Sequence, residues 1–468
     1  MSEFSHSVVL SGKEVNFIVE GGKGISATKG ESSGLWAYHA DAIGTFSGVN
    51  ADSYDDNGNI ISQIYKGKTR KERHEELICY SIEGAVSQAK IAHETASGRG
   101  RLHMNVLWEM GGAEQILQGV LSRSKGLIDG ITCGAGMPYK LSQIASQHKV
   151  YYYPIVSSAR AFRALWKRAY HKCSEWLGAV VYEDPWRAGG HNGLSNAEDP
   201  LSPEDPYHRV RAIREMLNQF KLNHVPIIMA GGVWCIKEFK DWIDNIEIGP
   251  IAFQFGTRPL LTKESPIPQI WKDLLLRLKP GDVKLQTYSP TGFYSSAVNN
   301  KFLQELEERS ARQISYKLSV ENDYQESLAF GNRNRNIFVR REDIQKIQNW
   351  KEQGYTQMLK TPDKTVIFVN AEKESEILAD QRGCMGCLSA CKFSNWRDKT
   401  PFKIEQRPDP RSFCIQKTLQ EVAHSEENFE KQLVFAGHNA FRFAHDPLYK
   451  NGYIPSIKEL VREILKGD

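Results

Sequence analysis

A chain of 468 residues, 40% apolar and 10% aromatic, is long enough for one large domain plus a smaller one and can bury a sizeable core. Charged residues make up 25%, and 60 basic against 56 acidic side chains leave a net charge of +4. This excludes a disordered chain and gives no electrostatic ground for nucleic-acid binding. The first six residues lack a basic region followed by an apolar run, and no apolar stretch approaches the ~18 residues that span a bilayer, so the expectation is a soluble cytoplasmic protein with no membrane partner.

In chain order, residues 15–19 are a candidate first strand running into a glycine-rich segment, and 42–48 a candidate second. Residues 51–75 are polar and read as an insertion. The basic run 66–73 at its end reads as the solvated start of a helix, with a phosphate-contacting patch as the alternative. From about 100 to 260, short apolar runs (102–108, 130–134, 150–156, 179–183, 226–232, 250–257) alternate with longer amphipathic stretches, helical patterns covering 159–176, 210–220 and 236–243. Continuous apolar strands are buried on both faces, which means a parallel sheet. Such a strand–helix repeat builds either a barrel or a doubly wound sheet, with the active site at the carboxyl ends of the strands. After about 325 the character changes. A polar basic linker (332–336), a helix (344–353) and a strand (365–370) precede a cysteine cluster, and 454–465 forms an amphipathic tail helix.

Three signals carry chemistry. Ala230-Gly231-Gly232-Val233 and Gln254-Phe255-Gly256-Thr257 end two successive strands. Glycines let the backbone approach an anion with free N–H groups, Thr257 adds a hydroxyl, and barrels often cradle a phosphate after strands seven and eight. One such loop alone would merely end a strand; the ordered pair points to phosphate. The second signal is Ala188-Gly189-Gly190-His191-Asn192-Gly193. A histidine there faces the pocket mouth and can give or take a proton near neutral pH, the plainer reading being a hydrogen-bonded loop histidine. The third is Cys384-Met385-Gly386-Cys387-Leu388-Ser389-Ala390-Cys391, with Cys414 further on. Three thiolates within eight residues can converge on one metal centre and a fourth complete it. Small apolar filling suits a 4Fe–4S cluster better than zinc, which stays the alternative. A second Gly-His-Asn stands at 437–439, either in a packed C-terminal helix or on a return to the barrel mouth or the cluster.

The ordered motifs Ala-Gly-Gly-His-x-Gly, Ala-Gly-Gly-Val and Gln-Phe-Gly-Thr-Arg resemble the nitronate monooxygenase family, formerly 2-nitropropane dioxygenases, over roughly residues 12–320. Flavin-dependent enoyl-acyl-carrier-protein reductases share that fold. The resemblance implies an FMN-binding (β/α)8 TIM barrel over 1–325; the change of character and the cysteine cluster after it mark a smaller α+β cysteine-rich module over 326–468. It implies that Gly231, Gly232, Gly256 and Thr257 hold the FMN phosphate. Gln254 and Asn105 would stand at strand ends by the flavin, with Gly189 and Gly190 beside it and Gly24, Ile25 and Ser26 against its ring. His191 would be the acid/base residue over the substrate side.

Two departures bear on the substrate. Gly21-Gly22-Lys23-Gly24 stands where the family has Pro-Met, and Arg187-Ala188 stands where it often has Glu-Ala. A cationic Arg187 either favours an anionic substrate such as a nitronate, carboxylate or thioester enolate, or faces solvent. The cysteine run also resembles the cluster segment of 2,4-dienoyl-CoA reductase and trimethylamine dehydrogenase, with a longer fourth spacing. Typical nitronate monooxygenases lack this module, and a cluster would let single electrons enter or leave the flavin. The expectation is an FMN-dependent oxidoreductase resembling nitronate monooxygenase and acting on a small molecule. The alternatives are an FMN/iron–sulfur enoyl or alkene reductase fed by NAD(P)H or an electron-donor protein, and a non-catalytic zinc-binding interaction protein.

Overall fold

The computed structural model describes residues 6–22, 29–47, 53–54, 60–195, 197–331, 335–398, 407–423 and 429–468. Eight short strands carry the architecture: β1 (Ile18–Glu20), β2 (Ile43–Ser47), β3 (Arg101–Leu107), β4 (Gly130–Gly134), β5 (Tyr151–Val156), β6 (Val180–Glu183), β7 (Ile227–Ala230) and β8 (Ile251–Phe255). They form one sheet in the order 1-8-7-6-5-4-3-2 with every ladder parallel. The seam between β1 and β2 is closed by a side chain: Glu20 Oε2 accepts from the Thr45 amide (3.1 Å), and Thr45 Oγ1 donates to the Glu20 carbonyl (2.6 Å). β2, β4 and β7 are buried at every position; β7 is an unbroken apolar run, while β2 also buries Thr45 and Ser47 and β4 buries Thr132. With helices around the sheet, this is an α/β TIM barrel.

The surrounding helices are α1 (Gly30–Ala40), α2 (Arg70–Ala96), α3 (Ala113–Arg123), α4 (Leu141–His148), α5 (Ala159–Arg168) and α6 (Pro206–Gln219). Three local expectations change. Residues 13–16 pair antiparallel with 7–10 as a hairpin, and only the segment from Ile18 enters the barrel. The Asn16 side chain accepts from the Ile18 amide across that break (3.2 Å). α5 stops at Arg168 instead of reaching 176, because Ala169 turns out of helical geometry and the fully buried Tyr170 drops into the core to meet Tyr152. Between β7 and β8 the expected helix is a 3-10 segment, Ile236–Trp242, kinked at Phe239.

Downstream come α7 (Gln269–Leu275), α8 (Lys301–Ala311), α9 (Ile344–Glu352), α10 (Ala371–Arg382), α11 (Ile415–Ala423) and α12 (Ile457–Leu465). Strand Ser295–Val298 pairs with Val283–Gln286 on one side and with Gly190–His191 on the other. A separate antiparallel sheet joins 313–315, 365–369 and 357–360. The chain then returns to the barrel: α12 packs on α1, and its Ile457, Leu460, Val461 and Ile464 belong to the main core.

The basic run 66–73 starts α2 as expected, with Lys66, Lys68 and Lys71 exposed, and two of its arginines turn to the chain. Thr69 caps α2 in a reciprocal box with Glu72, and Arg70 and Arg73 donate to carbonyls of Ser394, Gln381, Cys384 and Arg382. α2 therefore anchors the cysteine loop.

Candidate active site at the barrel mouth

The carboxyl ends of the strands open onto two cavities of about 560 and 1150 Å³ that share Gly22, Glu183, Gly189, Gly190, Gln254 and Phe435 as wall. They are two lobes of one site. Gly231, Gly232, Gly256 and Thr257 line the smaller lobe, and Asn105 and His191 the larger. Residues spread over 150 positions of sequence thus meet at one mouth, as strand-end residues of a barrel must. Gly24, Ile25 and Ser26 lie outside the described residues; Gly22, just before them, borders both lobes.

The smaller lobe has the form of an anion seat. Gly231 and Gly232 take positive φ in succession (84° and 79°). Among the described residues, the amides of Gly232, Val233 and Gly256 donate to no acceptor in the chain. A Cβ on Gly256 would meet only the Gly22 carbonyl at 3.6 Å, so the glycine leaves room for a ligand and not for protein. Consecutive free amides beside a glycine cradle suit a phosphate.

The larger lobe carries two carboxamides. Asn105 lies across Gly22 and Gln254 across Gly21, so close that any Cβ there would collide with them. Among the described residues neither side chain has a hydrogen-bond partner, and both offer donor and acceptor atoms to the cavity. A planar polar ring system with a phosphate arm fits this pairing of lobes.

His191 lines the larger lobe. Its Nε2 shares a 2.6 Å hydrogen bond with Ser289 Oγ, which bonds Thr291 Oγ1 at 2.8 Å, and Thr291 returns to the cavity wall. Burial pushes the imidazole down to about 4, so the ring is neutral at physiological pH. Glu183, at the end of β6, borders both lobes, with no hydrogen-bond or ion-pair partner among the described residues. Burial, and then the neighbouring Asp184, raise its carboxyl to about 8. Arg187 neither faces solvent alone nor offers a free cation. Its Nη1 donates to the buried Asp184 carboxylate (2.5 Å) and to the Glu204 carbonyl (3.0 Å).

The second Gly-His-Asn segment returns to the barrel mouth rather than continuing a helix. Phe435 bridges Ala297, its ring 5.6 Å from that of His191. The Gly437 amide donates to Thr257 Oγ1 (3.2 Å), the His438 amide to the Arg187 carbonyl (3.1 Å), and Asn439 Nδ2 to the Gly232 carbonyl (2.9 Å). This strap, with Glu183, Ser289 and Thr291, is the part of the site the sequence reading missed. Only the repeated Gly-His-Asn hinted at it.

All eight cysteines are free. The cysteine loop is stitched to the loop after β3. Gly111 donates to the Cys387 carbonyl (3.0 Å), Ser389 to the Glu109 carbonyl (2.7 Å), and Cys387 itself lines the larger lobe. Among the described residues no three Cys, His, Asp or Glu side chains surround a ready-made ion position. The metal expected on Cys384, Cys387, Cys391 and Cys414 therefore has no preformed single-ion seat. Among the described residues no helix is long and apolar enough to cross a membrane.

Comparison with known proteins agrees with this geometry. No curated protein matches the sequence. FabK from Thermotoga maritima superposes with a TM-score of 0.51 at 13% identity, over 96% of this chain and 92% of its own. The enoyl reductase domain of MlnA from the macrolactin biosynthesis cluster of Bacillus amyloliquefaciens gives 0.53 at 12% identity, over 97% and 93%. At these identities the likeness concerns the fold. The family model for nitronate monooxygenase matches residues 120–467, from before β4 through the tail helix. The chain belongs to the nitronate monooxygenase family and is an FMN-dependent oxidoreductase.

Proposed function

We propose that the enzyme seats the FMN phosphate in the smaller lobe, on the amides of Gly232, Val233 and Gly256 with Gly231 and Thr257 beside them, and the ring in the larger lobe between Asn105 and Gln254, with Gly189 and Gly190 along it. His191 then handles the substrate proton, and a small nitronate is the substrate this reading favours. The observation that carries it is the convergence of these residues on one two-lobed cavity. FMN, when bound, supplies the electron transfer. The protein binds, orients and moves protons. A neutral imidazole held by Ser289 is ready to accept a proton, and the Ser289–Thr291 hydroxyls give a route by which it leaves.

The second reading, reduction of an activated alkene such as an enoyl thioester, is favoured by the apolar side of the larger lobe. There Leu107, Met110, Ile155, Leu388 and Leu419 would accept an acyl chain. Its reducing equivalents would come from NAD(P)H or from an electron-donor protein. In the same proposal the four clustered cysteines hold a metal centre, iron–sulfur or zinc, and a cytoplasmic setting suits eight free thiols.

Anaerobic incubation with NAD(P)H followed by challenge with a nitronate or an enoyl thioester separates the readings. Turnover of nitronate with oxygen and no nicotinamide supports the first. Oxidation of NAD(P)H coupled to alkene loss supports the second. A protein that releases no FMN on acid extraction defeats both.

A further inference from the structure

We infer that Cys384, Cys387, Cys391 and Cys414 ligate one [4Fe–4S] cluster set in the wall of the flavin cavity, an inference that rests on the metal centre proposed above and names it. Three of the cysteines lie in the loop after α10, and the fourth immediately precedes α11. The tertiary fold, not the sequence spacing, closes the set.

The Cys384 sulfur is met by two donors. The Gly386 amide donates to Cys384 Sγ (3.4 Å), and Ser394 Oγ adds a second bond (3.1 Å). Free thiols need no such donors, whereas thiolates bound to a cluster are tuned by them. Cys414 stands immediately before the nine-residue helix α11, at its positive end. The loop is held rigidly for the purpose: Arg70 and Arg73 bind four of its carbonyls or their neighbours, and His74 Nδ1 bonds the Gly386 carbonyl at 2.9 Å.

The geometry favours a cubane over a single ion. Zinc must lie ~2.3 Å from every thiolate, which draws the sulfurs to within roughly 4 Å of one another. A cubane gives each thiolate its own iron, so the sulfurs need share no common point. Among the described residues no three Cys, His, Asp or Glu side chains are placed to hold a single ion. The surroundings are apolar, with Leu388, Phe393, Trp396, Phe413 and Leu419 in one buried cluster with the cysteines. Cys387 lines the cavity that also holds Asn105 and Gln254, so this corner of the cluster is the one nearest the flavin seat.

The test uses the full chain purified without oxygen and reconstituted with ferrous iron and sulfide. The expected result is about four irons and about four acid-labile sulfides per chain, with visible absorption that dithionite bleaches and an EPR signal on one-electron reduction. Serine variants of Cys384, Cys387, Cys391 and Cys414 should each lose most of the iron, while C79S, at the exposed lone cysteine, keeps it all. Circular dichroism reports whether each variant is folded, and folded variants with full iron would overturn the assignment. So would about one zinc per chain with no iron after reconstitution, or four quartet thiols that alkylate freely in the folded protein. FMN extracted from the same samples is counted separately: iron without FMN sinks the flavin reading alone, and FMN without iron sinks the cluster alone.

Discussion

His191 and Glu183 stand on one cavity wall with their usual order of acidity reversed. The imidazole is pushed down to about 4 and the carboxyl raised to about 8, so at neutral pH the histidine is unprotonated and the glutamic acid carries its proton. For a base, activity is present above its pKa and lost as pH falls through it. The His191-dependent limb of kcat/KM is therefore expected near pH 4 rather than 6.5. H191N should retain FMN and lose turnover by about 10²–10⁴-fold, and unchanged turnover would remove the residue from the chemistry. Glu183 acts in the other direction. Above about 8 it becomes an unpaired anion beside the anion seat, and FMN binding should weaken as pH rises through that value. E183Q should bind FMN with no such pH dependence, which titration of the apoprotein at about pH 7 and about pH 9 measures. Of these two residues only His191 was legible in the sequence, because its flanking glycines advertise a turn. Glu183 ends an apolar strand and looks like any strand terminus until the fold encloses it.

Among the elements, the strands and their glycine ends were readable because their signal is local. β4, β7 and β8 are largely apolar runs, and Gly231, Gly232 and Gly256 follow them directly. The strap was not readable. Phe435 and Gly437 reach the barrel from more than 170 residues away from Thr257, and no local pattern encodes that contact. The 3-10 segment 236–242 was misjudged for the opposite reason: its helical periodicity is real, and the kink at Phe239 is imposed by packing. Two glycines now have separable roles. A Cβ on Gly189 would come within 2.6 Å of the Ala436 carbonyl carbon, so G189A should push the strap away and weaken FMN by roughly tenfold, about 1.4 kcal/mol. G256A touches little protein, so it should leave the apoprotein's melting temperature unchanged while occupying the ligand's space. Thermal melts and FMN titrations of both variants check this.

Across the whole molecule, the division after about residue 325 describes composition better than packing. The family match runs to residue 467, and the tail helix α12 returns four aliphatic side chains to the barrel core. Its amphipathic pattern was plain in the sequence, but not which surface it would cover. Leu460 is fully buried, so L460A should cost about 2–5 kcal/mol, read from denaturant unfolding. That is a large share of the ~5–15 kcal/mol by which a domain of ordinary stability holds together. A change of less than about 0.5 kcal/mol would mean the helix is only loosely docked.

The strap also sets an order of events during synthesis. Thr257 and Gly232, which border the anion seat, are held by Gly437 and Asn439, which are made long after the glycine loops themselves. While ribosome-bound, a nascent barrel carries its glycine loops but lacks one wall of the site. Flavin is therefore expected to stay bound only once residues 435–439 have been made. Chains arrested on the ribosome before residue 435 should exchange FMN rapidly and released full-length chains slowly, a contrast that flavin fluorescence can follow.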